Sequence, residues 1–387
     1  MDTDREYMSR AIRLALKGRG FTNPNPLVGA VIVKNGRIIG EGCHERYGGL
    51  HAERNAIKSL KEPAEGATIY VTLEPCCHYG KTPPCTEAII ENKIAHVVIG
   101  SRDPNPKVAG KGVKALRDAG IKVTEDYMRQ ECDRLNPVFF HYISTNTPYV
   151  VMKYAMTADG KIATKTGKSK WITCGESRDY VQELRSRYMG IMAGIGTVLA
   201  DDPMLNVRIP GKRNPVRIIC DTNLRIPLDC RLCKSAGEFP LIVACAECHG
   251  DVESDSATNK KREKIEVLKN MGVTVLEIPP GIEPEQSVTG ELGKQSIDLN
   301  VLMERLGEMK IDSILLEGGG TLNESALRAG IVNEVNAFIA PKIFGGAGKT
   351  PVDGVGVRFP DECYKLEFME LLAVGNDLLL SYKVKNK

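Results

Sequence analysis

Aromatic side chains are scarce in this chain: Phe, Trp and Tyr together make up 5% of it, and Trp171 is the only tryptophan. Excess charge is also missing, with a formal net charge of +3. A dedicated nucleic-acid binder needs cations for phosphates and aromatic faces for bases, so nucleic acid is not an expected partner. No apolar run approaches the roughly 18 residues of a membrane span, and no membrane association is expected. The opening stretch, MDTDREYMSRAIRLALKGRG, begins acidic and lacks a long apolar core, so it does not read as an export signal. Its Met8, Ala11, Ile12 and Ala15 recur instead at helical spacing, with Gly18 and Gly20 placed to end the helix. Without an export signal, the 12 cysteines point to buried or metal-bound thiols in a reducing cytoplasm rather than to disulfides.

What is present is ordinary globular material, 42% hydrophobic and 26% charged over 387 residues, enough for two cores. The small positive surplus suits an anionic small molecule such as a phosphate ester. Strands and helices alternate. LVGAVIVKNGRIIGEG reads as a hairpin turning at Lys34-Asn35-Gly36. HAERNAIKSL reads as a helix, GATIYVTL as a buried strand, and CTEAIIENK as a helix begun by Pro83-Pro84. HVVIG is a further strand, and GKGVKALRDAGIKV a helix and strand. A polar turn cluster, Ser144 to Pro148, precedes the strand YVVMKYAMT and marks a boundary between domains 1–146 and 147–387. The second domain repeats the class, with strands expected in RYMGIMAGI, VRIICD, PLIVAC, VTVLEI, SILLEGG and VNAFIAPKIF, and a loose surface loop from Pro279 to Leu299. Both domains therefore read as layered α/β.

One constellation carries chemistry. His51-Ala52-Glu53 is followed by Pro75-Cys76 and, nine residues after that cysteine, Cys85. Zinc favours imidazole nitrogen and thiolate sulfur, and a catalytic site keeps its fourth position open for water. Such a metal lowers the pKa of bound water toward 7, which makes hydroxide available. A carboxylate that is not a ligand then shuttles protons, and Glu53 suits that role. Zinc nucleobase deaminases use this division of labour, with an H-x-E…P-C-x-x-C signature. The C-x-x-C spacing is missing here, because CHYGKTPP separates the two cysteines. Cys85, at a helix start, and Cys76, at a strand end, are the preferred ligands. Cys77 then points elsewhere, and His78 borders the substrate.

In the second half, two glycine patterns fail as nucleotide motifs. GIGTVL has Leu199 where a dinucleotide fingerprint needs a small residue, and GGAGKT has Ile343 before it where a phosphate loop needs its first glycine. SILLEGGGTLNESALRAG is more informative: a strand runs into three glycines and a helix whose first amides suit phosphate. Cys230-x-x-Cys233 and Cys245-x-x-Cys248, with His249 adjacent, have zinc-ribbon spacing, yet PLIVAC reads as a buried strand ending in Cys245. One zinc per chain, at His51, is the expectation.

NPNPLVGAVIV, HAERNA, LEPCCHYGKTPPC and DPNPKVAGKG in the first half, with MKYAMTADGKIA, WIT, GIGTVLADDP, LLEGGGTLN and APKIFGG in the second, carry a resemblance. Over nearly its whole length the chain resembles the bifunctional deaminase–reductases of riboflavin biosynthesis. The resemblance implies a cytidine-deaminase-like three-layer α/β/α domain followed by a dihydrofolate-reductase-like α/β domain. It implies zinc on His51, Cys76 and Cys85 with Glu53 as proton shuttle, and a diaminopyrimidinone ribosyl phosphate as substrate. Asn25, His44, Lys81 and Asn105 are implied around that substrate. For the second domain it implies NADPH, lined by Ala155, Trp171, Thr197, Asp201, Thr222 and the turn Gly318, Gly319, Gly320 and Thr321. Ser169, Arg185, Leu205, Arg208 and Glu317 are implied to hold the ribosyl phosphate, and Lys153 to set a cation beside the reacting carbon. A homo-oligomer is expected. A tRNA or nucleoside deaminase fused to an unrelated reductase would instead call for an arginine- and aromatic-rich groove, which the composition does not supply.

Overall fold

The computed structural model describes residues 3–80, 82–105, 108–247, 256–281 and 296–385. The chain divides into two compact units, Met1–Asn146 and Thr147–Lys387.

The first unit is built on strands β1 (Gly29–Lys34), β2 (Arg37–Cys43), β3 (Thr68–Leu73), β4 (His96–Ser101) and β5 (Lys122–Thr124), in the order β2-β1-β3-β4-β5. β1 and β2 close through Asn35 and Gly36, both at positive φ (51° and 74°), as a two-residue hairpin turn demands. β1 also pairs antiparallel with β3, whereas β3, β4 and β5 run parallel. Side chains alternate across the sheet. Val31, Val33, Tyr70 and Val98 pack on Met8, Ala11 and Leu14 of the first helix, Thr3–Ala15. Ala30, Ile32, Ile69, Val71 and Val97 pack on the other side, against Ala56, Ile89, Val113 and Leu116. Those last four come from helices Ala52–Lys58, Cys85–Glu91 and Lys111–Asp118. The result is the three-layer α/β/α arrangement expected of a deaminase-like unit.

The second unit continues with β6 (Tyr149–Thr157), β7 (Gly190–Gly194), β8 (Val216–Cys220), β9 (Leu241–Ala246), β10 (Val273–Ile278), β11 (Ser313–Leu316), β12 (Val332–Ala340), β13 (Lys365–Val374) and β14 (Asp377–Lys385). They form one sheet, ordered β10-β9-β8-β7-β11-β6-β12-β14-β13. From β10 to β12 every pairing is parallel, and each face has its own core. That is why LIVACA reads as an unbroken apolar run and VRIIC as one broken only by Arg217, itself buried. β12 begins earlier than the sequence indicates, at Val332, and stops at Ala340 because Pro341 brings no N–H to the ladder. The closing hairpin β13–β14 escapes sequence patterning. Its strands lie at the sheet edge, so β13 carries exposed leucine, phenylalanine and methionine on both faces instead of alternating. Of the expected loop after Pro279, residues 282–295 lie outside the described set, whereas Ile297 is buried and Leu299 opens the helix Leu299–Glu308. Among the described residues no helix is long and apolar enough to cross a membrane.

Candidate active sites

In the first unit, His51 is the N-cap of helix Ala52–Lys58, its carbonyl accepting from the Asn55 amide at 3.0 Å. Cys76 follows β3. Cys85 opens helix Cys85–Glu91, and its N–H donates to Cys76 Sγ at 3.4 Å. His51 Nδ1 lies 3.5 Å from Cys76 Sγ and 3.4 Å from Cys85 Sγ. A tetrahedral ion at about 2.0 Å from nitrogen and about 2.3 Å from sulfur sets N···S edges of about 3.5 Å, so this donor set fits zinc. The insertion is bridged from outside: Arg54 donates to the carbonyls of Pro83 at 3.0 Å and Pro84 at 2.8 Å, returning the chain to the helix start at Cys85. Local anchoring thus replaces the C-x-x-C spacing. Cys76 is held as thiolate by hydrogen bonds from Cys85 and His51 against its burial, and Cys85 is correspondingly raised. Cys77 is not among the ligand atoms.

Glu53 is 3% exposed and outside the ligand set. Burial, then the Cys76 charge, raise its carboxyl to about 7, with His51 opposing. It lines a cavity of about 250 Å³ together with His51, Cys76, Asn25, His44, His78 and Asn105. His44 is buried, which lowers its pKa, so the ring is neutral. Its Nδ1 faces the Leu50 carbonyl at 3.0 Å and so carries the proton. Nε2 then accepts from Asn25 Nδ2 at 3.2 Å. That bond orients Asn25 and uses one of its two amide N–H donors, leaving the other N–H and the carbonyl oxygen for a ligand. Lys81 lies outside the described residues; its neighbours Gly80 and Thr82 line the cavity.

Sequence reasoning did not single out Glu74 and Asp103, which also line this cavity. Glu74 accepts from the amides of Gly110 and Gly112, both at 3.1 Å, and so ties the DPNPKVAGKG segment to the end of β3. Burial raises the Asp103 carboxyl to about 6, opposed by the Asn105 amide that donates to it at 2.8 Å. Their signal was the position of acids within quoted motifs, which no spacing rule ranks.

In the second unit, register places the charged cluster. Leu316 of β11 pairs with Met152 of β6, so the next residues, Glu317 and Lys153, are neighbours. Lys153 Nζ lies 3.7 Å from Glu317, which Arg185 grips with two bonds of 2.8 and 2.9 Å. Burial alone would raise Glu317, but the charges of Arg185 and Lys153 hold it at about 2. Burial pulls Lys153 down, with Glu317 opposing.

Beside this cluster in the chain lies a cavity of about 530 Å³, within the roughly 300–1,000 Å³ of small-molecule sites. Ser169, Thr197, Asp201, Thr222, Gly319, Gly320 and Thr321 line it. Ala155, Trp171, Gly318, Arg185, Leu205, Arg208 and Glu317 are not part of its lining. Trp171 is 63% exposed, with the Arg178 guanidinium 4.5 Å from its ring centroid. Leu205 is buried, while Arg208 is exposed with its amide bound to Gln182. The three glycines differ in task. A Cβ on Gly318 would strike Asn323 Oδ1 at 2.6 Å and one on Gly320 would strike Asp353 Cβ at 2.5 Å, so these two serve packing. A Cβ on Gly319 or on Gly196 would meet nothing within 4 Å and would stand in the cavity. Backbone left bare toward a cavity, at the start of helix Gly320–Arg328, fits a dinucleotide pyrophosphate. Cys230, Cys233 and Cys245 do not form a second ligand group among the described residues, and Cys248 and His249 lie outside them.

Residues 1–101 match the family described as the cytidine and deoxycytidylate deaminase zinc-binding region, and residues 148–380 the RibD C-terminal domain. The chain is 52% identical over 383 residues to the riboflavin biosynthesis protein RibD of Actinobacillus pleuropneumoniae, covering 99% of this chain and 96% of that one. It is 41% identical to the RibD of Aquifex aeolicus, covering 99% of both. Among solved structures it is similar to Acinetobacter baumannii RibD, with a TM-score of 0.83, 34% identity and 99% of both chains covered. It is also similar to a Thermotoga maritima diaminohydroxyphosphoribosylaminopyrimidine deaminase/5-amino-6-(5-phosphoribosylamino)uracil reductase, with a TM-score of 0.81, 37% identity and 99% of both chains covered.

Proposed function

The chain belongs to the RibD family of riboflavin-biosynthesis proteins, and from that premise we propose how its residues divide two reactions. It is a bifunctional enzyme, a deaminase and a reductase, that uses zinc and NADPH and acts on small phosphorylated pyrimidines. Residues 1–146 carry the deamination and residues 147–387 the reduction.

In the first reaction the exocyclic amine of a diaminopyrimidinone ribosyl phosphate is exchanged for oxygen. Bound zinc supplies a water acidic enough to react at neutral pH. Glu53 takes the proton of the attacking water and returns it to the departing amine, so ammonia leaves neutral. Asn25, fixed by neutral His44, reads the pyrimidine edge. Asn105 closes over the ring, and Lys81 meets the phosphate. In the second reaction bound NADPH would supply hydride to the first carbon of the open-chain sugar imine. The C=N π electrons pass to nitrogen, which takes a proton from solvent, and the product is a ribitylamino uracil phosphate. Lys153 holds positive charge beside that carbon. Glu317, kept ionised by Arg185, accepts from sugar hydroxyls. Ser169, Leu205 and Arg208 complete the substrate side, while Ala155 and Trp171 border the nicotinamide. The observation that supports the whole reading best is the zinc-sized N/S triad with a buried carboxylate, Glu53, that is not part of it. The test supplies zinc-loaded protein with the diaminopyrimidinone ribosyl phosphate. Ammonia and the aminouracil alone are expected without NADPH, and the ribityl product with it. Recovery of unchanged substrate in both arms contradicts the reading.

A homo-oligomer is proposed as well. β13 is a sheet-edge strand exposed throughout except at Val374, with Leu366 43%, Phe368 60%, Met369 49% and Leu371 53% exposed. Open edges bearing apolar side chains are a liability that a second copy removes. Sedimentation at micromolar concentration is expected to give a multiple of the chain mass; a monomer contradicts this.

A further inference from the structure

We propose that Arg225 recognises the 2′-phosphate of the dinucleotide and is the residue that makes the second cavity select NADPH over NADH. This rests on the reductase reading above. Two described cations line that cavity, Arg225 and Lys349, and the sheet order separates them. The reacting end is fixed by Lys153 on β6 and by Glu317 after β11. β8 lies three strands away from β6, through β11 and β7, which at about 4.8 Å per strand is roughly 14 Å. An extended dinucleotide crossing the sheet from β6 therefore brings its adenosine half to the end of β8. Lys349 belongs to the other end, because its carbonyl accepts from the Ile162 amide at 2.9 Å, in the segment just after β6.

The loop after β8 is built to present Arg225. Leu224, 3% exposed and at φ 50°, and Ile226, fully buried, anchor it on both sides. Asp221 closes the loop: its carbonyl accepts from the Leu224 amide at 2.9 Å, and its Oδ2 from the Ile226 amide at 2.7 Å. The Thr222 carbonyl is held by the Ala246 amide at 3.0 Å. Between those anchors Arg225 is exposed, lines the cavity and has no hydrogen bond or ion pair among the described residues. The acid at this strand end points the same way. In NAD sites an acidic residue near a strand end takes the ribose 2′-hydroxyl, whereas an arginine accommodates the 2′-phosphate. Asp221 is fully buried and does not line the cavity, and its Oδ2 is held by the Ile226 amide, so it is not placed to serve a ribose. Thr222 and the forked guanidinium of Arg225 remain, a donor pair matched to a phosphate monoester.

The experiment measures dissociation constants for NADPH, NADH and 2′,5′-ADP by nucleotide fluorescence and calorimetry. It uses the full-length wild type, Arg225→Gln, Arg225→Lys and Lys349→Gln, each checked for native circular dichroism. Arg225→Gln is expected to weaken NADPH and 2′,5′-ADP by roughly 10- to 100-fold, the range of a charged hydrogen bond, and to leave NADH unchanged. Arg225→Lys should recover part of the loss, and Lys349→Gln should not discriminate. Equal loss of NADPH and NADH, no change in either, or selective loss in Lys349→Gln instead overturns the assignment to Arg225. Wild-type protein that binds neither dinucleotide sinks the reductase reading itself.

Discussion

Glu53→Gln is expected to retain zinc and lose ammonia release by about 10²- to 10⁴-fold, the usual weight of a positioned acid–base group. The substitution keeps shape and hydrogen-bonding reach but removes the ability to take a proton. Glu53 is not among the three donor atoms, so metal content should not change. Its burial makes a neutral side chain easy to house, and no ion pair is lost, so folding should survive. Measuring ammonia release and bound zinc on the same preparation separates the two roles. Full deamination in the variant removes Glu53 from the mechanism, and loss of zinc makes it a ligand. Reduction of supplied aminouracil substrate belongs to other residues and should continue at the wild-type rate.

Lys153→Ala should produce the opposite split, with NADPH oxidation falling by about 10²- to 10³-fold and ammonia release intact, since a preorganised charge at the reacting centre is worth that much. Truncating a buried ammonium ordinarily strands its partner. Here Glu317 keeps both bonds to Arg185, so the cluster stays charge-paired and the unit should fold. Stopped-flow NADPH absorbance together with ammonia release checks the division. Equal loss of both activities would mean that the substitution disturbs the whole chain and not one reacting centre.

Much of this was legible in residue order because the chemistry is local. His51 and Glu53 share a helix start, and Cys76 and Cys85 flank one insertion, so type and spacing were enough to group them. Parallel strands buried on both faces announced themselves as apolar runs. Other features depend on contacts between distant segments. The pairing of Lys153 with Glu317 is set by β6–β11 register, which no window of sequence contains. Arg54 holding Pro83 and Pro84 explains how a departed spacing keeps a zinc geometry, yet it reads in sequence as an ordinary helix cation. The β13–β14 hairpin was lost because an edge strand need not alternate, and the separate tasks of Gly318, Gly319 and Gly320 appear only when a Cβ is placed on each.

X-ray absorption at the zinc edge of catalytically competent protein addresses the central claim most directly. One zinc per chain, ringed by one nitrogen, two sulfurs and one exchangeable oxygen, is the expected result. Competent protein free of metal, or a fourth ligand contributed by a side chain, contradicts it.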